Sequence, residues 1–238
     1  MTDPLLPCPP AWTMTSLAPT RGGKYITEVD SGGTPSTSKE ENWDGDIPWL
    51  TPKEITRNEQ NIYVSTTERR ISETGLANSA AKLLPTGTVL LTKRAPVGSV
   101  AINTVPMATN QGFLNFHCGE GLLPLFLATW FRLNSRYLNQ VANGSTYREL
   151  YKSDLFEFNI SIPSIEEQKS IVGVIRAMQY VTLLGSPLEQ SLECTDQMLE
   201  IQSQNKALEH ISADLAWKLF SGEVTTKSVV SNFNRHVV

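Results

Sequence analysis

The stretch Phe156-Glu157-Phe158-Asn159-Ile160-Ser161-Ile162-Pro163-Ser164-Ile165-Glu166-Glu167-Gln168 changes character half-way along. Phe156–Ile162 is rich in Ile and aromatic residues and reads as a strand. After Pro163 the pattern turns helical. Ser164 is placed as an N-cap with Glu167 at the third helical position, and Ile171, Val172, Ile175 and Met178 follow on one face. The chain therefore divides near residue 163 into two kinds of architecture.

Upstream of this point Gly and Pro punctuation is dense and apolar runs are short. Gly23–Val29, Thr88–Leu91, Ser99–Ile102 and Gly112–His117 read as further strands, enriched in Val, Ile, Thr and aromatics and bounded by turns. Leu122 to Gln140 reads as one helix, opening near Leu123-Pro124, with Phe126, Trp130, Leu133, Tyr137 and Val141 at three- to four-residue spacing. The expectation is an irregular α+β domain with long loops, which in a compact domain are often functional.

Downstream, Gly185-Ser186-Pro187 breaks the helix, and Ser186 and Pro187 suit the cap and first position of the next. That helix is expected to run to Phe220, before Gly222. At about 1.5 Å per residue it would be about 50 Å long. Leu188, Leu192, Thr195 and Leu199 form one stripe; Ile201, Leu208, Ile211 and Leu215 form an offset one. The polar run Gln202-Ser203-Gln204-Asn205 separates them. The pattern predicts a coiled-coil-forming helix with an interrupted seam, which serves dimerisation or partner binding. A plain amphipathic helix on its own domain is the alternative, but one small domain cannot cover so long a helix. The expected division is a globular domain over 12–163, a helical spacer over 164–222, and flexible termini at 1–11 and 223–238.

Composition sets outer bounds. The 238 residues are 40% hydrophobic and 18% charged, ordinary for a folded soluble chain. No apolar run approaches the roughly 18 residues of a membrane span, and Met1 to Pro10 lacks the positive region of a signal peptide. Cys8, Cys118 and Cys194 are far apart and form no CxxC pair, which supports neither a zinc site nor a disulfide framework. A reducing cytoplasm fits. The net charge of −4 argues on its face against a nucleic-acid binder. The charges are uneven, however. Residues 1–160 carry 14 Lys and Arg against 15 Asp and Glu, and 161–238 carry 6 against 9. Residues 69–94 hold Arg69, Arg70, Lys82, Lys93 and Arg94 against Glu73 alone. A mild basic patch on a neutral domain suits a reader whose phosphate grip comes mostly from partners.

Gly32-Gly33-Thr34-Pro35-Ser36 is followed by Trp43-Asp44-Gly45-Asp46-Ile47-Pro48-Trp49-Leu50, then by Ile71-Ser72-Glu73-Thr74-Gly75-Leu76 and Leu84-Pro85-Thr86-Gly87-Thr88-Val89-Leu90. Arg94-Ala95-Pro96-Val97-Gly98, Thr109-Asn110-Gln111-Gly112, Gly144-Ser145-Thr146, Ile162 to Gln168, Ile171-Val172 and Leu219-Phe220-Ser221-Gly222 come next. In this order the signals resemble the specificity subunits of Type I restriction–modification enzymes. The resemblance implies a DNA target recognition domain followed by a helical spacer. Full-length members carry that unit twice. Here it occurs once and no internal repeat is found, so the expectation is a half subunit. Its implied partners are double-stranded DNA, modification subunits that methylate adenine, and a restriction subunit. S-adenosylmethionine, ATP and Mg are expected on those partners and no cofactor on this chain. A homodimer with a recognition domain at each end would read a palindrome with an unread spacer. Alternatives are the specificity module of a fused or split methyltransferase–nuclease, and a regulatory coiled-coil competitor of a full subunit.

No P-loop, no Gly-rich dinucleotide fingerprint and no Asn/Asp-Pro-Pro-aromatic motif is present, so no catalytic residue is assigned. His117, His210 and His236 are scattered, and no metal site is expected. Gly32-Gly33 permits a tight or left-handed turn, stiffened by Pro35. Trp43 and Trp49 flank the acidic turn Asp44-Gly45-Asp46 and read better as loop anchors than as stacking or metal-binding groups. Asn110-Gln111 can read adenine. An amide pair holding loops together is the stronger reading, because base readers should vary with target. Thr92, Lys93 and Arg94 sit between two strands, where a loop would present Lys93 and Arg94 to phosphate or guanine; a solvated basic turn is the competing reading. Arg69, Arg70, Lys82, Asn143, Ser145, Thr146 and Arg148 are further DNA-binding candidates.

Overall fold

A computed structural model describes residues 11–57, 61–94, 96–142 and 149–184, together with Leu215, Lys218, Leu219 and Glu223. Among them the chain forms two compact units, one over 14–160 and one taking 11–13 and the residues from 161 onward.

The strands are β1 (Thr13–Ser16), β2 (Ile26–Ser31), β3 (Trp43–Leu50), β4 (Tyr63–Val64), β5 (Arg69–Ile71), β6 (Val89–Thr92), β7 (Val100–Asn103), β8 (Ala108–Thr109), β9 (Phe113–Cys118) and β10 (Asn159–Ile162). The α-helices are α1 (Pro52–Arg57), α2 (Glu73–Ala77), α3 (Pro124–Leu133), α4 (Ser135–Val141) and α5 (Ile165–Leu184). In the first unit, five strands lie in the order β2-β9-β6-β7-β4, antiparallel except for the parallel β7–β4 edge. A second sheet runs β5-β3-β8.

β6 and β7 are buried at every position, because the larger sheet is covered on both faces. The register pairs Leu90 with Ala101 and Asn115, and Val89 with Ile102 and Phe116. Leu90, Ala101 and Phe113 point into a core shared with Leu50, Ile55, Leu84 and Met107. Phe116 belongs to the opposite face, where its ring lies 4.9 Å from Phe131 of α3. The smaller sheet has its own core of Ile47, Trp49, Ile71, Ala81 and Ala108.

Several expectations change here. The single helix over 122–140 is two, because Asn134 interrupts it. Its buried amide Nδ2 donates to Trp130 O at 2.8 Å, sharing that carbonyl with its own backbone N, which donates at 3.1 Å. The chain then restarts with Leu138 N donating to Asn134 O at 2.9 Å. The strand expected from Phe156 begins at Asn159, since a 3-10 helix occupies Lys152–Glu157. The acidic turn Asp44-Gly45-Asp46 is a bulge inside β3: Trp43 and Ile47 both face Ile71, and Asp44 has φ 58°. Gly32 and Gly33 are not left-handed; among the described residues the glycines with positive φ are Gly22, Gly87 and Gly98. They are needed for close approach instead. A Cβ at Gly32 would enter the carbonyls of Thr109 and Asn110, and one at Gly33 the Ala80–Ala81 backbone.

In the second unit, Ser164 Oγ accepts from Glu167 N at 3.3 Å and caps α5. Gln168, fully buried, donates Nε2 to Pro163 O at 3.0 Å, and Ile171 and Ile175 are buried one turn apart. Of the two apolar stripes, Leu188, Leu192, Leu199, Ile201, Leu208 and Ile211 lie outside the described residues, and Leu215 is helical and half-buried. The expected termini likewise fall almost wholly outside them. Among the described residues no helix is long and apolar enough to cross a membrane.

Candidate nucleic-acid interface

The segment Gly32-Gly33-Thr34 is held against β3 and β8 of the smaller sheet. Gly33 N donates to Thr109 O at 2.9 Å, and Gly33 O accepts Trp49 Nε1 at 2.9 Å. Trp43 and Trp49 meet edge to face at 5.2 Å, and Trp43 Nε1 holds Ser36 O at 3.1 Å. The two tryptophans therefore anchor this loop. The guanidinium of Arg69 lies 3.5 Å from the Trp43 ring centroid and 5.5 Å from that of Trp49. Arg69 and Arg70 are both exposed on β5. Thr34 Oγ1 donates to Gln111 Oε1, and Asn110 Oδ1 accepts Gly112 N at 2.8 Å. Gln111 is exposed and Asn110 half-buried. This pair ties loops together, but from the surface and not as a buried pair.

Gly112 leads to the loop between β6 and β7, since its carbonyl accepts Lys93 N at 2.8 Å. Thr92 is fully buried. Its hydroxyl donates to Pro96 O at 2.7 Å and accepts Ser99 N at 3.0 Å. It staples the loop shut and leaves the set of DNA-contacting candidates. Gly98 closes the loop at φ 103°.

Lys93 and Arg94 share one carboxylate. Lys93 Nζ lies 3.1 Å from Glu149 Oε1, and Arg94 Nε lies 3.1 Å from Glu149 Oε2. The side chains are 13%, 50% and 15% exposed for Lys93, Arg94 and Glu149. The expected loop thus presents Arg94, while Lys93 turns inward. Burial pushes the Glu149 carboxyl up, but Arg94 and Lys93 outweigh it and hold it below the usual carboxylate range.

Lys82 stands apart on an acidic pair. It bonds Asp30 and lies 3.4 Å from Glu28, while Asp30 Oδ2 also meets His117 Nε2 at 2.9 Å. Burial raises the Asp30 carboxyl, yet Lys82 and His117 leave it below its usual range. The hydrogen bond to Asp30 raises Lys82. Glu28, Asp30 and His117 are close enough to share a cation, and the Lys82 ammonium already meets both carboxylates. Burial pushes the Cys118 thiol up to about 12, so it is protonated at neutral pH.

Asn143, Ser145, Thr146 and Arg148 lie outside the described residues. Sequence reasoning missed Glu149, Asp30 and His117 as partners of the basic residues, because each pair is far apart in sequence. It also missed Arg132 and Arg136, which line a cavity of about 390 Å³ beside Pro96–Val100.

A protein-family signature described as Type I restriction modification DNA specificity domain matches residues 24–190. The specificity subunit of the Type I restriction enzyme MjaIX from Methanocaldococcus jannaschii is 45% identical over 154 residues, 64% of this chain and 35% of that protein. Two solved structures share the fold. One, from work on assembly and conformational transition of the type I R-M system, has TM-score 0.62 at 20% identity and covers 93% of this chain and 49% of that one. The HsdS subunit from Thermoanaerobacter tengcongensis has TM-score 0.57 at 19% identity, over 93% and 48%. The chain spans about a third of the length of the first relative and about half that of the two solved chains.

Proposed function

The chain belongs to the Type I restriction modification DNA specificity family, and from that premise we propose that it reads DNA sequence and carries out no chemistry itself. It directs modification subunits, which supply adenine methylation with S-adenosylmethionine, and an ATP- and Mg-dependent restriction subunit, to their target. Residues 12–163 form the recognition domain and 164–222 the spacer that docks partners. The observation that carries this reading is the family match over 24–190, which takes in Arg69, Arg70, Lys82 and Arg94. A rigid framework holding a few cations suits a surface where phosphate contacts position and base contacts specify.

The finer reading is that two copies pair through residues 187–220 and present a recognition domain at each end. The target is then bipartite and palindromic.

Expression with modification subunits in a host lacking them, followed by methylome sequencing, tests the function. A methylated adenine motif that appears only when this chain is present is the expected result. No new methylation, together with no duplex DNA retained by the assembled complex in gel shift, overturns it.

A further inference from the structure

We infer that the cleft between the Pro96–Val100 loop and the corner of α3 and α4 seats a backbone phosphate of duplex DNA, with Arg132 and Arg136 as its cations. The inference rests on the DNA-reading function proposed above and adds to it a phosphate-positioning site outside residues 69–94.

Several basic residues of the first unit are already neutralised. Arg57 meets Glu68, Lys82 meets Glu28 and Asp30, and Lys93 and Arg94 share Glu149. A carboxylate beside a cation weakens its pull on a phosphate. Arg136 is exposed and enters none of these pairs.

The cleft, of about 390 Å³, has Arg132, Ser135 and Arg136 on its helical side and the Pro96–Val100 loop on the other. No carboxylate is among the described residues that line it. Ile55, Val97 and Val100, all buried, give it apolar walls. A cleft with charge of one sign and low-dielectric walls focuses the field, so the two arginines attract an anion more strongly there than on an open surface. Guanidinium groups also match phosphate oxygens in a two-point contact.

The loop wall is fixed before any ligand arrives. The Thr92 hydroxyl donates to Pro96 O at 2.7 Å and accepts Ser99 N at 3.0 Å, and Gly98 N donates to Thr92 O at 3.1 Å. Gly98 runs so close to the start of α4 that a Cβ there would lie 3.1 Å from Ser135 Cα. Arg132 stands in the last turn of α3 and Arg136 is the second residue of α4, so both cations rise from helices. Pro96-Val97-Gly98 belongs to the shared framework of the family resemblance. A wall of that kind suits a group that every duplex carries, and not a base that changes with the target.

The test uses the full chain assembled with its modification subunits, duplex DNA carrying the motif that the unaltered complex selects, and the variants Arg136→Ala, Arg136→Lys and Arg136→Ala with Arg132→Ala. Arg136→Ala should lower the slope of log affinity against log salt by about 0.9, and the double variant by about 1.8. Arg136→Lys keeps the charge and should keep the slope. Base preference in a randomised duplex library should be the same in all of them. Replacing one phosphate at a time by a neutral methylphosphonate locates the contact. At one position per recognition domain it should weaken the unaltered complex and leave Arg136→Ala unaffected. An unchanged slope in Arg136→Ala overturns the site, even where that variant no longer binds inorganic phosphate, since the cleft would then hold a free anion only. A lost preference at one base pair, or equal losses at every methylphosphonate position, overturns it as well, and in all three cases the DNA-reading function stands. Failure of the unaltered complex to select any motif overturns both.

Discussion

At the scale of single residues, the first unit places its buried charges in contact with partners. Asp30, 8% exposed, is tolerated because Lys82 and His117 both reach it. Its carboxyl is held below the usual range, so the folded state binds fewer protons than the unfolded chain as pH falls. Its stabilising contribution is therefore present above the ordinary carboxylate range and is lost as pH drops through the lowered value. Asp30→Asn should cost about 1–3 kcal/mol near pH 7, by unpairing buried groups. Denaturant titrations of both proteins should show that gap shrinking below about pH 4. A gap that stays constant down to about pH 3 would contradict this account.

At the scale of elements, glycine has opposite consequences in two places. Gly33 runs against the Ala80–Ala81 backbone while its own carbonyl receives Trp49 Nε1, so the segment after β2 and the sheet of β3, β5 and β8 lock together there. A methyl group at Gly33 must push backbone aside. Gly33→Ala should destabilise by about 1–3 kcal/mol. Gly173 lies in α5 with open space where its Cβ would stand. There glycine only weakens the helix, and Gly173→Ala should add up to about 1 kcal/mol. Denaturation followed by circular dichroism checks both, and changes of the same sign would refute the contrast. Asn134 shows the same dependence on surroundings. Periodicity runs across it, but α3 stops there, where its buried amide and its own backbone N share the Trp130 carbonyl.

At the scale of the whole molecule, the prediction concerns pairing. The stripe of Leu188, Leu192 and Leu199 and that of Ile201, Leu208, Ile211 and Leu215 are offset about Gln202–Asn205. Antiparallel pairing about that run lets each stripe of one copy meet the other stripe of its partner, and closed twofold pairing is the commonest symmetry. One helix over 187–220, as expected from the sequence, would be about 50 Å long and at about 3.4 Å per base pair would span on the order of 15 base pairs, so the unread spacer should be shorter. Sedimentation should find a dimer that deletion of 187–220 turns into a monomer. The methylated motif should have two identical inverted halves. A monomer at high concentration rejects the dimer, and unlike halves reject the symmetry.

By itself the sequence determined the family, the mixed α/β character, the central strands near Val89, Val100 and Phe113, and the helix start at Ser164. Each of these is written locally, in apolar runs, caps and ordered short motifs. Only the tertiary structure decided that Gly32 and Gly33 serve close approach, that Thr92 is a staple, and that Lys93 turns inward while Arg94 stays out. It also decided that Glu149 answers both, and that Asp30 and His117 belong with Lys82. The physical reason is that these roles depend on partners brought close by the fold: local spacing does not encode which distant carboxylate or backbone segment will arrive, and even Thr92 meets Pro96 and Ser99 only once its loop has bent back.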